Sequence, residues 1–188
     1  MTDVIGAIAQ KWQALGGAAG FGEPTDIERP TFDGVGRTQP FAGGKFIVWH
    51  PELGAFELHG LIAVKWLPLG REQFGYPTTD ELGCPDKRGR FNHFSAMQLA
   101  GRPVASIYWT PTTGAHEVHG AIHAAWAQHG FERGPVGYPT SDEHNSSVPG
   151  GRRNEFEHGF IDWTPQRGAQ VHGPVPFDDG TELHPSED

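Results

Sequence analysis

The sequence predicts a β-rich α+β repeat protein built from three similar units of about 55 residues. Three repeated marks predict this fold class. The pattern G-[AL]-I-x-x-x-W occurs at 6–12, 60–66 and 120–126, and the turn G-x-P-T occurs in "FGEPT" (21–25), "FGYPT" (74–78) and "VGYPT" (136–140). A Trp followed by a short turn and Gly-Ala recurs at Trp49, Trp109 and Trp163. All six tryptophans therefore fall on repeated positions.

Each unit is predicted to begin with a short helix. In "GAIHAAWAQHG" (120–130), Ile122, Ala125 and Trp126 lie at i, i+3 and i+4 and so share one helical face, with a glycine at each end. Pro68 should end the middle helix early, because proline cannot continue a helix. After the turn, a Thr and a Glu three residues later match the spacing of a capping box, which predicts one further helical turn at 25–28, 78–81 and 140–143.

The second half of each unit is predicted to be a small antiparallel meander. The segments 41–49, 105–109 and 155–163 carry aromatic and β-branched residues, and each leads through a turn to a short strand, "AFELH", "AHEVH" or "AQVH". This order leaves the first helix without a preceding hairpin and the last hairpin without a following helix. We therefore expect the last hairpin to pack on the first helix, so that the units close into a propeller-like, pseudo-threefold arrangement, or pair between two chains.

The predicted organisation is a single repeat domain at 1–176 followed by an acidic tail at 177–188. The copies are placed at about 4–57, 58–117 and 118–173. A net charge of −9 repels phosphate backbones and argues against a nucleic-acid partner. Cys84 is the single cysteine, so an internal disulfide is excluded. No stretch is apolar for long enough to span a membrane, and the first residues lack the pattern of a signal peptide.

The three turns and the segment 107–122, "IYWTPTTGAHEVHGAI", resemble the LGFP repeat family. The resemblance covers roughly residues 4–173, although Phe21, Phe74 and Val136 stand where the family has Leu. It implies a closed, propeller-like binding module rather than an enzyme. It also implies a cell-wall polysaccharide as partner, in the envelope of actinobacteria or secreted from them. Because no signal peptide is recognised, a cytoplasmic location stays open.

Carbohydrate binding needs flat apolar faces with polar groups beside them. We expect the motif tyrosines to be half-exposed and to line a groove. Two tryptophans in each unit also suit a small core, and capping glutamates also suit a helix start, so each of these residues has a structural alternative. The candidate ligand-binding residues are Tyr76, Tyr138, Tyr108, Trp109, Trp163, Asp80, Glu81, Asp142, Glu143 and His116.

Three histidines, His59, His119 and His172, each stand immediately before a glycine. If they are equivalent, three imidazoles around a threefold axis could hold a metal ion. The same positions also suit three separate hydrogen bonds at helix starts. Without further ligand pairs, we expect neither a metal nor another cofactor.

Two other functions stay open. A small enzyme would need one asymmetric site, and the asymmetric part of the chain is a predicted insertion at 86–103, which holds His93 and Ser95 and follows Cys84. Its acid–base groups could come from Glu81, His93, His116 and Glu117, although no nucleophile elbow, P-loop or dinucleotide motif accompanies them. A protein–protein scaffold, as a possible homodimer, is the other alternative. The repeats favour a non-catalytic module that binds a glycan through several related loops.

Overall fold

The computed structural model describes residues 2–174, so the acidic tail predicted at 177–188 lies outside the described residues. Copy one contains α1 (Gly6–Ala14), the short α2 (Gly17–Gly20), β1 (Arg29–Pro30), β2 (Arg37–Phe41), β3 (Lys45–His50) and β4 (Gly54–Leu58). Copy two contains α3 (Gly60–Trp66), β5 (Tyr76–Pro77), β6 (Leu82–Gly83), β7 (Arg90–Ser95), β8 (Val104–Thr110) and β9 (Gly114–His119). Copy three contains α4 (Gly120–Gln128), β10 (His144–Asn145), β11 (Arg152–Phe156), β12 (Gly159–Thr164) and β13 (Gly168–His172).

Each copy forms its own antiparallel sheet, as the sequence predicted. The first sheet has the order β1-β2-β3-β4, and the third has the order β10-β11-β12-β13. The second has the order β5-β7-β8-β9, with β6 also paired to β7. The prediction of three β-rich units, each opened by a helix, is therefore confirmed.

The helix tryptophan ties each helix to the turn that follows it. The indole Nε1 of Trp12 donates a hydrogen bond to Gly22 O at 2.8 Å, and Trp66 and Trp126 repeat this bond to the equivalent carbonyls of Gly75 and Gly137. Trp66 and Trp126 are fully buried, so the bond satisfies an N–H group that could not otherwise reach water. α3 is shorter than α1 and α4, as Pro68 predicted.

The prediction of a helical turn after each G-x-P-T motif is wrong. The threonine of each turn lies beside the sheet, and the backbone N–H groups of Thr25, Thr78 and Thr140 donate to Pro40 O, His93 O and Glu155 O. Because the sheet already satisfies these donors, the segment stays extended and needs no capping glutamate.

Each long helix packs on the sheet of its own copy, and the second and third also contact the sheet of the copy before them. α1 packs on β3 and β4, α3 packs mainly on β8 and β9 and also touches β3, and α4 packs on β12 and β13 as well as on β8 and β9. The first sheet therefore lies between α1 and α3, and the second between α3 and α4. The last hairpin, formed by β12 and β13, packs on α4 of its own copy, and its expected packing on the first helix is not seen among residues 2–174.

The tyrosine of the turn motif joins each copy to the one before it. The ring of Tyr76 lies so close to Gly36 of copy one that a Cβ at this glycine would come within 2.7 Å of it, and Tyr138 contacts Gly89 of copy two in the same way. The Tyr76 hydroxyl lies 2.7 Å from Asp33 Oδ1, and Tyr138 donates to Asp86 Oδ1 at 2.6 Å.

No closed barrel or propeller is seen in residues 2–174. Within that part of the chain, the hydrogen bonds and ion pairs between copies join copy one to copy two and copy two to copy three, and none joins copy one to copy three. The helices of the same residues are too short or too polar to cross a membrane.

Candidate functional site: three equivalent grooves

A groove lies at the start of the long helix in each copy, and the three grooves are lined by equivalent residues. Their volumes are about 230, 250 and 240 Å³ in copies one, two and three. Groove one is lined by residues 5–8, Glu28, Arg37 and Trp49; groove two by 59–62, Glu81, Arg90 and Trp109; and groove three by 119–122, Glu143, Arg152 and Trp163.

Strand pairing places an arginine opposite a tryptophan in every groove. Arg37 is paired with Trp49 between β2 and β3, Arg90 with Trp109 between β7 and β8, and Arg152 with Trp163 between β11 and β12. Directly opposite residues of an antiparallel pair point to the same face of the sheet. Each groove therefore has a half-buried indole and a guanidinium on one wall.

A glycine at the helix start leaves the other wall of each groove open. Gly6, Gly60 and Gly120 have φ angles of +56°, +57° and +58°, in the left-handed region that favours glycine. A Cβ at any of them would meet no atom within 4 Å. These glycines therefore add no side chain to their grooves and leave that space free.

Groove two carries a chain of charged side chains behind its opening. His59 Nδ1 lies 2.8 Å from Glu57 Oε2, and its Nε2 lies 3.3 Å from Glu81 Oε1. The second oxygen of Glu57 accepts the backbone N–H of Glu81 at 3.1 Å, and Arg90 Nε pairs with Glu81 Oε1. The side chains of Glu57 and Glu81 are only 6% and 5% exposed, so this imidazole and guanidinium are what balance their charge.

Groove three repeats the same arrangement. His119 lies 2.6 Å from Glu117 Oε2 and 3.4 Å from Glu143 Oε2. The Glu143 N–H donates to Glu117 Oε1 at 2.8 Å, and Arg152 Nε lies 2.5 Å from Glu143 Oε1. The hydrogen bond to Glu57 raises the pKa of His59, and the bond to Glu117 does the same for His119. Both histidines are therefore held toward their charged form.

Groove one lacks this histidine. Ile5 occupies the position of His59 and His119, immediately before the helix glycine, and Asp3 occupies the position of Glu57. The amide of Gln39 confirms this alignment, because it donates to Asp3 O as the amide of Asn92 donates to Glu57 O. Of these ion pairs, the described part of the chain shows in groove one the Glu28–Arg37 pair alone, with 3.5 Å between Oε1 and Nε.

Comparison with known families decides what kind of repeat this is. The model of the LGFP repeat matches three times, at residues 21–73, 74–134 and 136–175. The chain belongs to the LGFP repeat family. Each matched segment starts at the G-x-P-T turn, whereas each structural copy starts at the helix before it. No curated protein matches this chain.

The structure brings four of the predicted ligand residues of this LGFP protein into the grooves. Trp109 and Glu81 line groove two, and Trp163 and Glu143 line groove three. The glutamates were placed in capping boxes by the sequence, but they pair with the groove arginines and histidines instead.

The motif tyrosines lie elsewhere, and the expectation that they are half-exposed is wrong. Tyr76 is 1% exposed and Tyr138 is 0% exposed, because both fill the joints between LGFP copies. Tyr108 is 2% exposed and packs on Trp126 with its ring centroid 4.8 Å away. Burial raises the pKa of all three hydroxyls. No tyrosine face is open to a ligand.

The predicted residues Asp80, Asp142 and His116 also lie at the joints. Asp80 Oδ1 accepts the N–H of Glu57, and Asp142 Oδ1 accepts the N–H of Glu117 and lies 3.3 Å from His116 Nδ1. Burial alone would raise the pKa of Asp142, but the bonds from His116, Lys65 and the Glu117 N–H lower it. Each aspartate therefore holds the strand end that carries the buried groove glutamate.

The predicted equivalence of the three histidines is wrong for His172. β13 pairs His172 with Phe160, which is the register position of Leu58 and Val118 rather than of His59 and His119. Copy three is one residue shorter here, so the histidine falls on the outer sheet face, where it stacks on Phe160 and lies 3.0 Å from Asp162 Oδ1. Among residues 2–174, no cluster of three or more potential ligands could hold a metal ion.

The predicted insertion at 86–103 is mostly ordinary LGFP repeat. Its residues 90–95 form β7, which is equivalent to β2 and β11, so only the turn at 96–103 is additional. His93 Nδ1 lies 2.6 Å from Ser106 Oγ, and His123 Nε2 lies 2.7 Å from the same oxygen. Ser106 is 0% exposed, which keeps this hydroxyl away from any substrate. Ser95 ends β7, and burial raises the pKa of Cys84 to about 11.

Sequence reasoning missed the groove arginines, although a fourth repeated pattern marks them. The pattern G-R-x-[QN]-x-F occurs in "GRTQPF" (36–41), "GRFNHF" (89–94) and "GRRNEF" (151–156). Its middle copy was hidden because it lay within the predicted insertion. Glu28, Trp49 and the helix glycines were also missed as groove residues.

Proposed function

We propose that this LGFP repeat protein is a non-catalytic module that binds a polysaccharide, with one sugar unit in each groove. The observation that carries this proposal is the repetition of one Trp–Arg–Glu groove in all three copies. Catalysis needs one complete site, whereas recognition of a repetitive polymer gains from several similar ones.

The chemistry of the grooves supports a sugar ligand. The half-buried indole offers a flat apolar face for the C–H groups of a sugar ring. The arginine and glutamate beside it supply hydrogen-bond donors and acceptors for hydroxyl groups, and grooves two and three add an imidazole. Volumes near 240 Å³ lie below the range of pockets for drug-sized ligands, about 300–1,000 Å³, and suit one ring rather than an oligosaccharide.

Cell-wall polysaccharide is the partner class that we propose first, on the strength of the family resemblance. Single-ring contacts are weak, but three grooves on one chain convert the second and third contacts into intramolecular events. A long repetitive glycan would therefore be retained where a free monosaccharide is not.

The joints support an open row of copies rather than a ring or a symmetric dimer closed through the same contacts. Copy one has Glu23 and Ile27 where the later copies have the joint tyrosine and aspartate. Copy three has Ala125 in place of the helix lysine and Val148 in place of Asp33 and Asp86. A copy three–copy one joint would therefore lack both of its polar contacts.

The test is binding of the intact chain to a glycan array and to fractionated cell-wall polysaccharide. Trp49→Leu, Trp109→Leu and Trp163→Leu should each weaken binding but leave part of it, and the triple variant should bind nothing. Phe32→Leu, at an aromatic side chain that is 50% exposed outside the grooves, is the matched control and should bind normally. Thermal unfolding checks that each variant folds. Absence of binding on both supports, or full binding by a folded triple variant, contradicts the proposal.

A further inference from the structure

The three groove arginines differ in how many of their guanidinium nitrogens are hydrogen-bonded to the protein. Every side-chain nitrogen of Arg152 is engaged: Nε to Glu143 Oε1 at 2.5 Å, Nη1 to Asn145 Oδ1 at 2.6 Å and Nη2 to Glu143 O at 3.5 Å. Arg90 uses only Nε, toward Glu81. Within residues 2–174, neither Nη1 nor Nη2 of Arg90 has a protein acceptor, and the side chain is 46% exposed.

The cause is one residue on the neighbouring strand. Arg152 is paired with Asn145, whose amide oxygen accepts from Nη1. Arg90 is paired with Gly83, which has no side chain to offer. In groove one, Arg37 is paired with Pro30 and its Nη1 donates to Gly36 O at 3.0 Å. Groove two is therefore the groove with an open guanidinium edge.

Groove two also has a larger apolar wall. Leu61, which is 54% exposed, lines it at the position held by Ala7 in groove one and Ala121 in groove three. A ligand in groove two would therefore lie between a leucine side chain and the Trp109 ring, with the unengaged Nη1 and Nη2 of Arg90 at one end.

We propose that groove two recognises an acidic sugar, with a ring carboxylate paired to Nη1 and Nη2 of Arg90, whereas grooves one and three take neutral units. The inference rests on the proposed function. A guanidinium presents two parallel N–H donors at the spacing of the two carboxylate oxygens, so the pair is bidentate and charge-assisted.

The surrounding charges favour a carboxylate over a phosphate. Glu57 and Glu81 lie directly behind the opening, and His59 and Arg90 balance them when the imidazole is charged. The single negative charge of a sugar carboxylate would bind beside a cluster with no net charge. A dianionic phosphate would bring a second negative charge close to two carboxylates and be repelled more strongly. A uronic acid unit is the ligand class that fits.

Two glycine–asparagine exchanges test the role of the arginine edge directly. Gly83→Asn gives Arg90 the acceptor that Arg152 has, and a Cβ at Gly83 would meet no atom within 4 Å. Asn145→Gly removes the acceptor of Arg152 Nη1 and leaves Nη2 with only its 3.5 Å contact to Glu143 O. The probes are tri-galacturonate and its methyl ester, which differ in the charge of the carboxyl groups, measured by calorimetric titration of the full chain.

We expect the wild-type chain to bind tri-galacturonate about tenfold more tightly than the ester. Gly83→Asn should abolish this preference, Arg90→Gln should do the same, and Arg152→Gln should leave it unchanged. Asn145→Gly should strengthen the preference by opening a second acidic site. Titrations with glucose-6-phosphate and with glucuronate compare a phosphate with a carboxylate, and the phosphate should bind more weakly.

Equal binding of acid and ester, or a preference that persists in a folded Gly83→Asn variant, overturns the inference. If neutral cell-wall glycans still bind in that case, the proposed function stands without the acidic specificity. If no glycan binds in either experiment, both proposals fall together.

Discussion

Lys65 on α3 lies 2.6 Å from Asp142 in the turn of the next copy, with Nζ facing Oδ2, and Lys11 and Asp80 repeat this pair one copy earlier at 2.5 Å. The other oxygen of each aspartate accepts a backbone N–H from the strand end that leads into the groove. One carboxylate therefore joins two copies and fixes the buried glutamate of a groove.

Asp142→Ala should destabilise the chain by about 1–3 kcal/mol, because it leaves the N–H of Glu117 without an acceptor and the lysine without a partner. Lys65→Ala should cost less, about 0–1 kcal/mol, because the pair is partly exposed. Urea unfolding measures both. Asp142→Asn keeps an acceptor for Glu117 and should recover most of the loss. If the alanine and asparagine variants are equally unstable, the backbone bond is not what matters.

Tyr138→Phe should destabilise the chain by about 1–2 kcal/mol, because the hydroxyl donates to Asp86 inside a joint between copies. Tyr108→Phe is the matched control, since in the described part of the chain the Tyr108 hydroxyl has no hydrogen-bond partner. This variant should change the free energy of unfolding by less than about 0.5 kcal/mol. Similar losses from the two substitutions would show that ring packing, not the hydroxyl, stabilises the joint.

His123 should make stability fall as the pH falls from about 6.5 to about 4. Burial lowers the pKa of His123 to about 4, so the folded chain keeps it neutral while the unfolded chain takes up a proton near its ordinary pKa of 6.5. The unfolded state then binds more protons throughout this window, and stability rises with pH across it. The full effect on the free energy of unfolding is about 3 kcal/mol.

His123→Ala restores the alanine found at positions 9 and 63 of the other copies and should flatten that part of the pH profile. The measurement is chemical unfolding at several pH values between 4 and 7.5, with the exposed His129→Ala as control. A difference between wild type and His123→Ala that stays constant across this range would contradict the prediction. His59 and His119 do not account for a loss at low pH, because their raised pKa values favour the folded state there.

Loss of two grooves should weaken retention on immobilised polysaccharide by more than the sum expected for independent sites. Trp109→Leu with Trp163→Leu should lower the apparent affinity by about a hundredfold or more, because the effective concentration of the remaining contacts is lost. Titration with a soluble monosaccharide should give an unchanged intrinsic affinity at the remaining groove. If the double variant loses only about two-thirds of the apparent affinity for the immobilised polysaccharide, the grooves bind independently and there is no avidity.

Much of the fold could be predicted from the sequence because the same patterns occur in three copies and support one another. Trp12, Trp66 and Trp126 recur at the same place in three helices, and each donates the same hydrogen bond to the turn that follows its helix. Pro68 predicted the short α3 correctly. The spacing Thr-x-x-Glu gave a wrong prediction of a helical turn. Neighbouring strands accept the backbone N–H groups that a capping box would otherwise satisfy.

The candidate site was only half predictable. Trp109 and Glu81 were predicted as candidate ligand residues and both line groove two, whereas Tyr76 was predicted for the same surface and lies in a joint instead. Whether an aromatic ring faces a groove or the preceding copy depends on contacts between copies, which local patterns do not encode. Arg90 was missed for a related reason, since only the strand pairing places it opposite Trp109.

The amino-acid order alone determined that there are three units, that each begins with a helix, and that the first and last copies differ from the middle one at Ile27 and Ala125. The tertiary structure decided what those differences mean. A side chain becomes a joint or a groove residue according to which copy covers it, and that depends on strand register and on the stacking of helices between sheets. These are long-range contacts, so no single repeat contains the information that fixes them.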